Sequence, residues 1–432
     1  MICGLIAALS LNNPIHAVLI SIVVLLVTLW TNEGLPLGVV SLLPLILFPA
    51  SGVLTLPSTA SNYANPVIFL FLGGFMLAIA IQKTGLHRFI ADFILPKKHI
   101  TPRRIIFAFG LISALLSSLL SNTTTALLLL PVAMYVTDER LFQSRFVLAI
   151  AYGASIGGII TPIGTPPNLI LMGFMESQGI VSVSFVKWMF MTTPLALAML
   201  VVLPWLLSYG LPKSHNSFVL EKTRIAMTKE QKKLAYMVGL LAVLLLLNSP
   251  IKPWYPGLGL DEKLIMLSFG ILMFLPGMDY LKWEDTKAIP YEIIFLFGAG
   301  FAIANAFMDS GLANLVATNL QNFSTLPEFT LIILIAILIT FSTEVTSNTA
   351  LVSMALPIIY SLGKVANIDT SLALMVATIC GSYAFMLPIA TPPNAIAISS
   401  GSLKIKEMMK IGLLMNIIGI TMIAIIAWFF WK

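Results

Sequence analysis

The sequence predicts an all-α polytopic membrane protein built as an inverted repeat, with two re-entrant hairpins and two broken helices. Three observations predict it: too few charges for a soluble chain, apolar segments of near-bilayer length, and motifs that recur at one fixed spacing. Of 432 residues, 58% are hydrophobic and 10% charged, with mean hydropathy +0.98. Soluble domains run at roughly 45–50% apolar and about 25% charged. That composition excludes a soluble enzyme. The length would suit two or three soluble domains, but stretches near the ~20 residues that cross a bilayer read instead as one membrane bundle. Cys3 and Cys380 have no partner spacing, so neither a disulfide nor a thiolate metal site is predicted, and the redox compartment stays open. The net charge of +6 comes from Lys and Arg placed mainly in short loops, the positive-inside pattern rather than a nucleic-acid footprint.

No Lys or Arg precedes Lys83, and MICGLIAALSL has no small-residue cleavage site, so the start reads as a truncated first helix or a half-buried anchor rather than a signal peptide. Spans are predicted at 15–31, 36–56, 66–86, 146–175, 190–211, 234–250, 260–277, 291–314, 370–400 and 410–431. The basic loops 96–104, 213–233 and 404–410 are assigned to the cytoplasm, and the connections 50–65 and 314–327, with no Lys or Arg, to the outside. Residues 103–136 are apolar from 105 onward, but Ser117-Ser118 and Ser121-Asn122-Thr123-Thr124-Thr125 interrupt them. About 15 residues remain before the break and fewer than ten after it. Neither arm spans comfortably, so a re-entrant hairpin is predicted, its tip beside protein or a water-filled cavity.

A constant offset of 226 residues relates the two halves. Ile68-Phe69-Leu70-Phe71 recurs as Ile294-Phe295-Leu296-Phe297, and Gly85-Leu86 as Gly311-Leu312. Ser121-Asn122-Thr123 recurs as Ser347-Asn348-Thr349, and Thr165-Pro166-Pro167-Asn168 as Thr391-Pro392-Pro393-Asn394. The chain divides into a first repeat (1–212), a linker (213–233) and a second repeat (234–432) with its own hairpin at 327–362. Five full spans separate the two Ser-Asn-Thr tips, so the second hairpin enters from the opposite face. Inverted repeats with broken helices in matching positions point to a secondary transporter whose site lies where the repeats meet.

Three prolines in Thr161–Pro167 forbid an uninterrupted helix, and Leu387–Asn394 repeats the pattern. Each span should split into half-helices whose freed carbonyls suit cations and whose N-termini suit anions. Beside the tips they would form two pockets of hydroxyl, amide and carbonyl oxygens, hard ligands appropriate to Na+. Glu344 is the nearby carboxylate and could titrate, but a proton carrier needs a titratable group in its path, and the inventory favours Na+. With no Arg or Lys at the core, a bound anion would depend on Na+ for local positive charge.

The two Ser-Asn-Thr motifs, the paired Thr-Pro-Pro-Asn motifs and the stretch Trp30-Thr-Asn-Glu33-Gly-Leu-Pro36 together resemble the divalent anion:Na+ symporter family, the INDY-type and NaDC-type di- and tricarboxylate carriers. The resemblance covers nearly the whole chain from about residue 15. It implies a homodimer of eleven-helix subunits that works by an elevator movement of a transport domain. It implies one Na+ site from Ser117, Ser121, Asn122 and the backbone of Gly164, and a second from Thr343, Thr346, Asn348 and Ala390. It places the substrate carboxylates at Asn122, Thr123, Thr165, Pro166, Asn348, Thr349, Thr391 and Pro392. Thr165 stands where some bacterial relatives carry Ser, and the N-terminal helix looks shorter than the family's.

Blander roles stand beside these. Ser, Thr and Asn in membrane helices often serve only as interhelical hydrogen-bonding groups. Gly73-Gly74 and Gly298-Ala299-Gly300 read as close-packing positions, Glu33 as a boundary cap, and His16, His87, His99 and His215 as interfacial. The linker has a weak attraction to anionic lipid. No nucleophile and base pair or metal cluster appears, so no enzyme and no organic cofactor are expected. The reading is a Na+-coupled importer of C4-dicarboxylates such as succinate, malate and fumarate. The alternatives are a dicarboxylate or citrate exchanger on the same scaffold, or an anion channel.

Overall fold

The computed structural model describes residues 13–32, 34–94, 101–181, 183–212, 226–250, 254–319 and 326–432. Residues 1–12 with Cys3, Glu33, His99, His215 and most of the basic loops 96–104 and 213–233 lie outside the described residues. The regular elements described are helices. In the first half they are α1 (Pro14–Thr31), α2 (Leu37–Leu42), α3 (Pro44–Ser51), α4 (Leu56–Ser61), α5 (Pro66–Lys83), α6 (Leu86–Ile94), α7 (Pro102–Ser117), α8 (Asn122–Tyr135), α9 (Arg140–Gly158), α10 (Pro166–Ser177) and α11 (Phe185–Ser208). The second half holds α12 (Lys229–Asn248), α13 (Glu262–Leu272), α14 (Tyr291–Asp309), α15 (Leu312–Asn319), α16 (Glu328–Thr343), α17 (Asn348–Ala366), α18 (Thr370–Ser382), α19 (Pro392–Ser399) and α20 (Ile405–Ile426).

Local chemistry sets the boundaries. Pro14, Pro44, Pro66, Pro102, Pro166 and Pro392 open their helices, where the missing N–H costs nothing and the fixed φ is already helical. The offset of the sequence reappears in the backbone: α7 and α16 both begin and end 226 residues apart, and so do the starts of α8 and α17 and of α10 and α19. Gly85 and Gly311, between α5 and α6 and between α14 and α15, have φ of 73° and 75°. Those are left-handed conformations that glycine adopts without steric cost.

Packing interleaves the halves. α2 lies on α14 as α13 lies on α5, while α19 seats on α8 as α10 seats on α17. α13 comes so close to α5 that a Cβ on Gly73 would strike the Met266 carbonyl. A large apolar cluster joins α5–α13 with α16–α20, and a smaller one gathers α1, α2 and α3 against α14 and the start of α15. Among the described residues, five helical stretches are long and apolar enough to cross a membrane, including Phe185–Ser208 and Ile405–Trp431. The chain is an integral, multi-pass membrane protein.

Three boundaries differ from expectation. The span at 36–56 is two short helices, because Pro44 cannot donate to the preceding turn and Gly52, at φ 74°, ends α3. The second arm of the first hairpin has 14 residues, not fewer than ten. Ser121 caps it by accepting from the Thr124 amide, so the polar tract is its first helical turn rather than loop. The first broken helix starts at Arg140, not 146. Its polar opening is satisfied by Arg140 donating to the Gly401 carbonyl at 2.8 Å and by an Arg145–Glu407 ion pair at 3.1 Å.

Candidate functional site

The two hairpin tips and the two interruptions converge on one cavity of about 1120 Å³. At the first tip, α7 ends on Ser117 and α8 begins on Asn122, five residues later. The Ser117 hydroxyl donates to Asn122 Oδ1 at 2.5 Å. At the second tip the Thr343 hydroxyl donates to Asn348 Oδ1 at 2.6 Å and to the Gly381 carbonyl at 2.9 Å. A Ser in one half and a Thr in the other thus hold the Asn side chain in the same way. Behind the first tip, a Cβ on Gly158 would lie 2.9 Å from Asn122 Oδ1, so the close approach of α9 requires glycine there.

Thr165 and Thr391 are extended, with φ of −147° and −143°, and turn the chain into α10 and α19. In the first loop Asn168 Nδ2 donates to the carbonyls of Gly158 (3.1 Å) and Thr161 (2.9 Å). In the second, Asn394 Nδ2 donates to those of Ala384 and Leu387, both at 3.0 Å. The asparagine that ends each motif therefore reaches back across the break and satisfies carbonyls that the interrupted helix leaves free. Both residues are fully buried, and the Oδ1 of each has no hydrogen-bond partner among the described residues.

Of the residues singled out in the sequence, Ser121, Asn122, Thr123, Gly164, Thr165, Pro166, Thr346, Asn348, Thr349, Ala390, Thr391 and Pro392 line the cavity. Ser117 and Thr343 do not. Both are fully buried, each with its hydroxyl on the asparagine that does line the cavity. The first residues of α8, α10, α17 and α19 all reach the cavity, so four helix N-termini bring partial positive charge to one space. No Lys, Arg or His is among the described lining residues.

Sequence reasoning assigned no site role to several residues. Trp30, Asn32 and Pro36, from the stretch that carried the family resemblance, line the cavity together with Glu292, the one charged side chain among the described lining residues. Glu292 stands in the first turn of α14, and a carboxylate at the head of an apolar run was the available signal. Asn168 and Asn394 could have been found from the break itself, since a split helix must satisfy its carbonyls. Glu344, read as a group that could titrate, is 3% exposed. It accepts hydrogen bonds from three backbone amides, Phe385, Met386 and Leu387, and from Asn416 Nδ2.

The CitMHS family model, described as citrate transporter, matches residues 23–379. The chain is 32% identical over 441 residues to the sodium-dependent dicarboxylate transporter SdcS of Staphylococcus saprophyticus, covering 95% of this chain and 85% of the relative. The protein of that name from Staphylococcus aureus strain USA300 is 32% identical over 444 residues, with the same coverage. Among solved structures, the Alcanivorax borkumensis YdaH transporter superposes with a TM-score of 0.58 over 87% of this chain and 88% of that one, at 15% identity. MtrF of Neisseria gonorrhoeae, whose structure is described as illuminating a class of antimetabolite efflux pumps, gives 0.61 over 86% and 83%, also at 15% identity. The last two show the fold alone, a polytopic all-α bundle. The first three show the family: this chain is a transport protein, not an enzyme, and belongs to the citrate-transporter family among the divalent anion:Na+ symporters.

Proposed function

We propose that the chain is a secondary active transporter that carries C4-dicarboxylates such as succinate, malate and fumarate into the cell together with Na+. The observation that carries the reading is the pair of matched tips, Ser117 to Asn122 and Thr343 to Asn348, facing a cavity with no basic side chain among its described lining. One Na+ is held by Ser117, Ser121, Asn122 and the carbonyl of Gly164, and a second by Thr343, Thr346, Asn348 and the carbonyl of Ala390. The substrate carboxylates meet Asn122, Thr123, Thr165 and Pro166 on one side and Asn348, Thr349, Thr391 and Pro392 on the other.

Cations bind first on this reading. A neutral hydrogen bond contributes about 1 kcal/mol net, whereas a carboxylate about 5 Å from Na+ gains roughly 3 kcal/mol at an effective dielectric of about 20. Neutral oxygens and helix ends alone hold a dianion weakly, and two bound cations supply the rest. The movement is of the elevator type: hairpins and broken helices travel as a unit against α1–α5 and α12–α14. The working unit is a homodimer, and the basic loops 96–104, 213–233 and 404–410 are cytoplasmic. The sodium-dependent relatives support the cation, and their name supports a dicarboxylate.

In proteoliposomes of purified protein, succinate uptake should require an inward Na+ gradient. Uptake equally fast with K+ on both sides would defeat the coupling. The description of the matching family as citrate transporter favours citrate as cargo in a second reading, a citrate or dicarboxylate exchanger on the same scaffold. That reading requires uptake driven by internal anion without Na+.

A further inference from the structure

The two tips are tied to their neighbouring loops by different chemistry at equivalent positions. In the first repeat the Thr161 hydroxyl donates to the backbone carbonyl of Ser118 at 2.5 Å, a neutral link. Adding 226 to both numbers gives Glu344 and Leu387. There the direction is reversed, and the Leu387 amide donates to Glu344 Oε2 at 3.0 Å. Met386 N lies 3.1 Å from the same oxygen and 2.9 Å from Oε1, which also accepts from Phe385 N at 2.8 Å and Asn416 Nδ2 at 2.7 Å. Three successive amides form a cradle for an anion, and a carboxylate of the protein itself fills it.

The loops differ accordingly. The carbonyls of Ile159 and Ile160 in the first loop are met by Trp188 Nε1 (2.8 Å) and the Thr192 hydroxyl (3.2 Å) of α11, again neutral groups. The second loop is held through Glu344 to both α17's hairpin and Asn416 of α20. Every partner of Glu344 is an N–H donor, so both oxygens act as acceptors. It directly follows Thr343, precedes Thr346 by two residues, and grips the residues that lead into Ala390. The first tip has Ser118 at this position and no such charge.

We infer that Glu344 is a positioning residue for the second cation site: it clamps the loop that carries the Ala390 carbonyl and adds a negative charge that the first site lacks, so the second site fills at lower Na+. The inference rests on the Na+ reading above. Hydrogen bonds to a charged group are stronger than neutral ones, so removing the charge should weaken this site by roughly tenfold or more.

The test is a radiosodium binding isotherm on purified wild type, Glu344→Gln and Thr161→Val, with Na+-dependent melting temperature as a second readout. Wild type should fill in two phases. Glu344→Gln should move the low-Na+ phase to roughly tenfold higher Na+, and Thr161→Val, which cuts the neutral link of the first side, should leave that phase in place. A merely structural role would lower the melting temperature without shifting the Na+ dependence. A low-Na+ phase within about twofold of wild type in Glu344→Gln, a shift as large in Thr161→Val, or a single wild-type phase overturns the inference. Should Glu344→Gln not fold, Asn416→Ala decides, because it removes one donor from the carboxylate. An unmoved isotherm there overturns the inference, and a smaller shift of the same phase supports it. Wild type that binds no Na+ brings down the underlying reading, whereas Na+ binding with an unmoved variant brings down only this one.

Discussion

The first half-site is built from neutral groups throughout, and the second is organised around a buried carboxylate. Thr161, Trp188 and Thr192 tie the first loop down with hydroxyl and indole donors, while Glu344 gathers the amides of the second. Their front faces nevertheless match, since Asn122 and Asn348 are held by a hydroxyl at almost the same distance. The lesson is that pseudo-symmetry is kept where ligand would be met and abandoned one layer behind it, where the halves can differ in strength without differing in shape.

The strongest way to break this comparison is to remove a matched front residue. Asn122→Ala or Asn348→Ala should lower succinate uptake by roughly 100-fold, the effect of about 3 kcal/mol lost from a charge-assisted contact, while size-exclusion profiles remain those of folded protein. Normal uptake in both variants would remove the two sites from the argument. A sharper comparison uses Gly158, whose equivalent 226 residues on is Ala384. A Cβ at 158 meets Asn122 Oδ1, so Gly158→Ala should reduce uptake about tenfold, in line with the 1–3 kcal/mol of overpacking. The reciprocal Ala384→Gly should cost less than about 1 kcal/mol of thermal stability and leave transport near wild type. Equal losses in the two would mean that the halves are not asymmetric at this layer.

Thr161→Val should slow uptake about fivefold, the worth of one neutral hydrogen bond, with no change in substrate selectivity across succinate, malate and citrate. The smallest effect lies outside the membrane. Asp285 accepts from the Lys282 amide at 2.6 Å and pairs with Lys83 at 2.5 Å. These hold its carboxyl below the usual carboxylate range. A depressed folded-state pKa contributes stability above the ordinary value that is lost as pH falls through the lowered one. Asp285→Asn should therefore melt lower than wild type at pH 7, and the gap should close in strong acid. A gap independent of pH would assign the effect to something other than the charge.

Much of the architecture was legible because polar residues inside apolar runs are conspicuous. Ser-Asn-Thr and Thr-Pro-Pro-Asn stand out against Leu, Ile and Ala, and proline forbids the continuous helix by covalent geometry alone. The boundaries were less legible. Arg140–Arg145 look like loop because their partners, Gly401 and Glu407, lie more than 250 residues away in sequence. The roles of Glu344, Asn168 and Asn394 depend on which amides and carbonyls a break leaves free, and that follows from the fold rather than from residue type. Glu292 was visible as a charge heading an apolar run, but only the packing of α2 against α14 brings it to the cavity wall.

The crossed seating of α10 on α17 and of α19 on α8 has a mechanical consequence. Each loop rests on the other repeat's hairpin, so a displacement of either hairpin drags both loops with it. The two sides of the cavity are thereby tied to move together. In a carrier that draws on an ion gradient, such a linkage guards against slip, because a half-loaded cavity has no separate half that could turn over and let the cation run through without its anion.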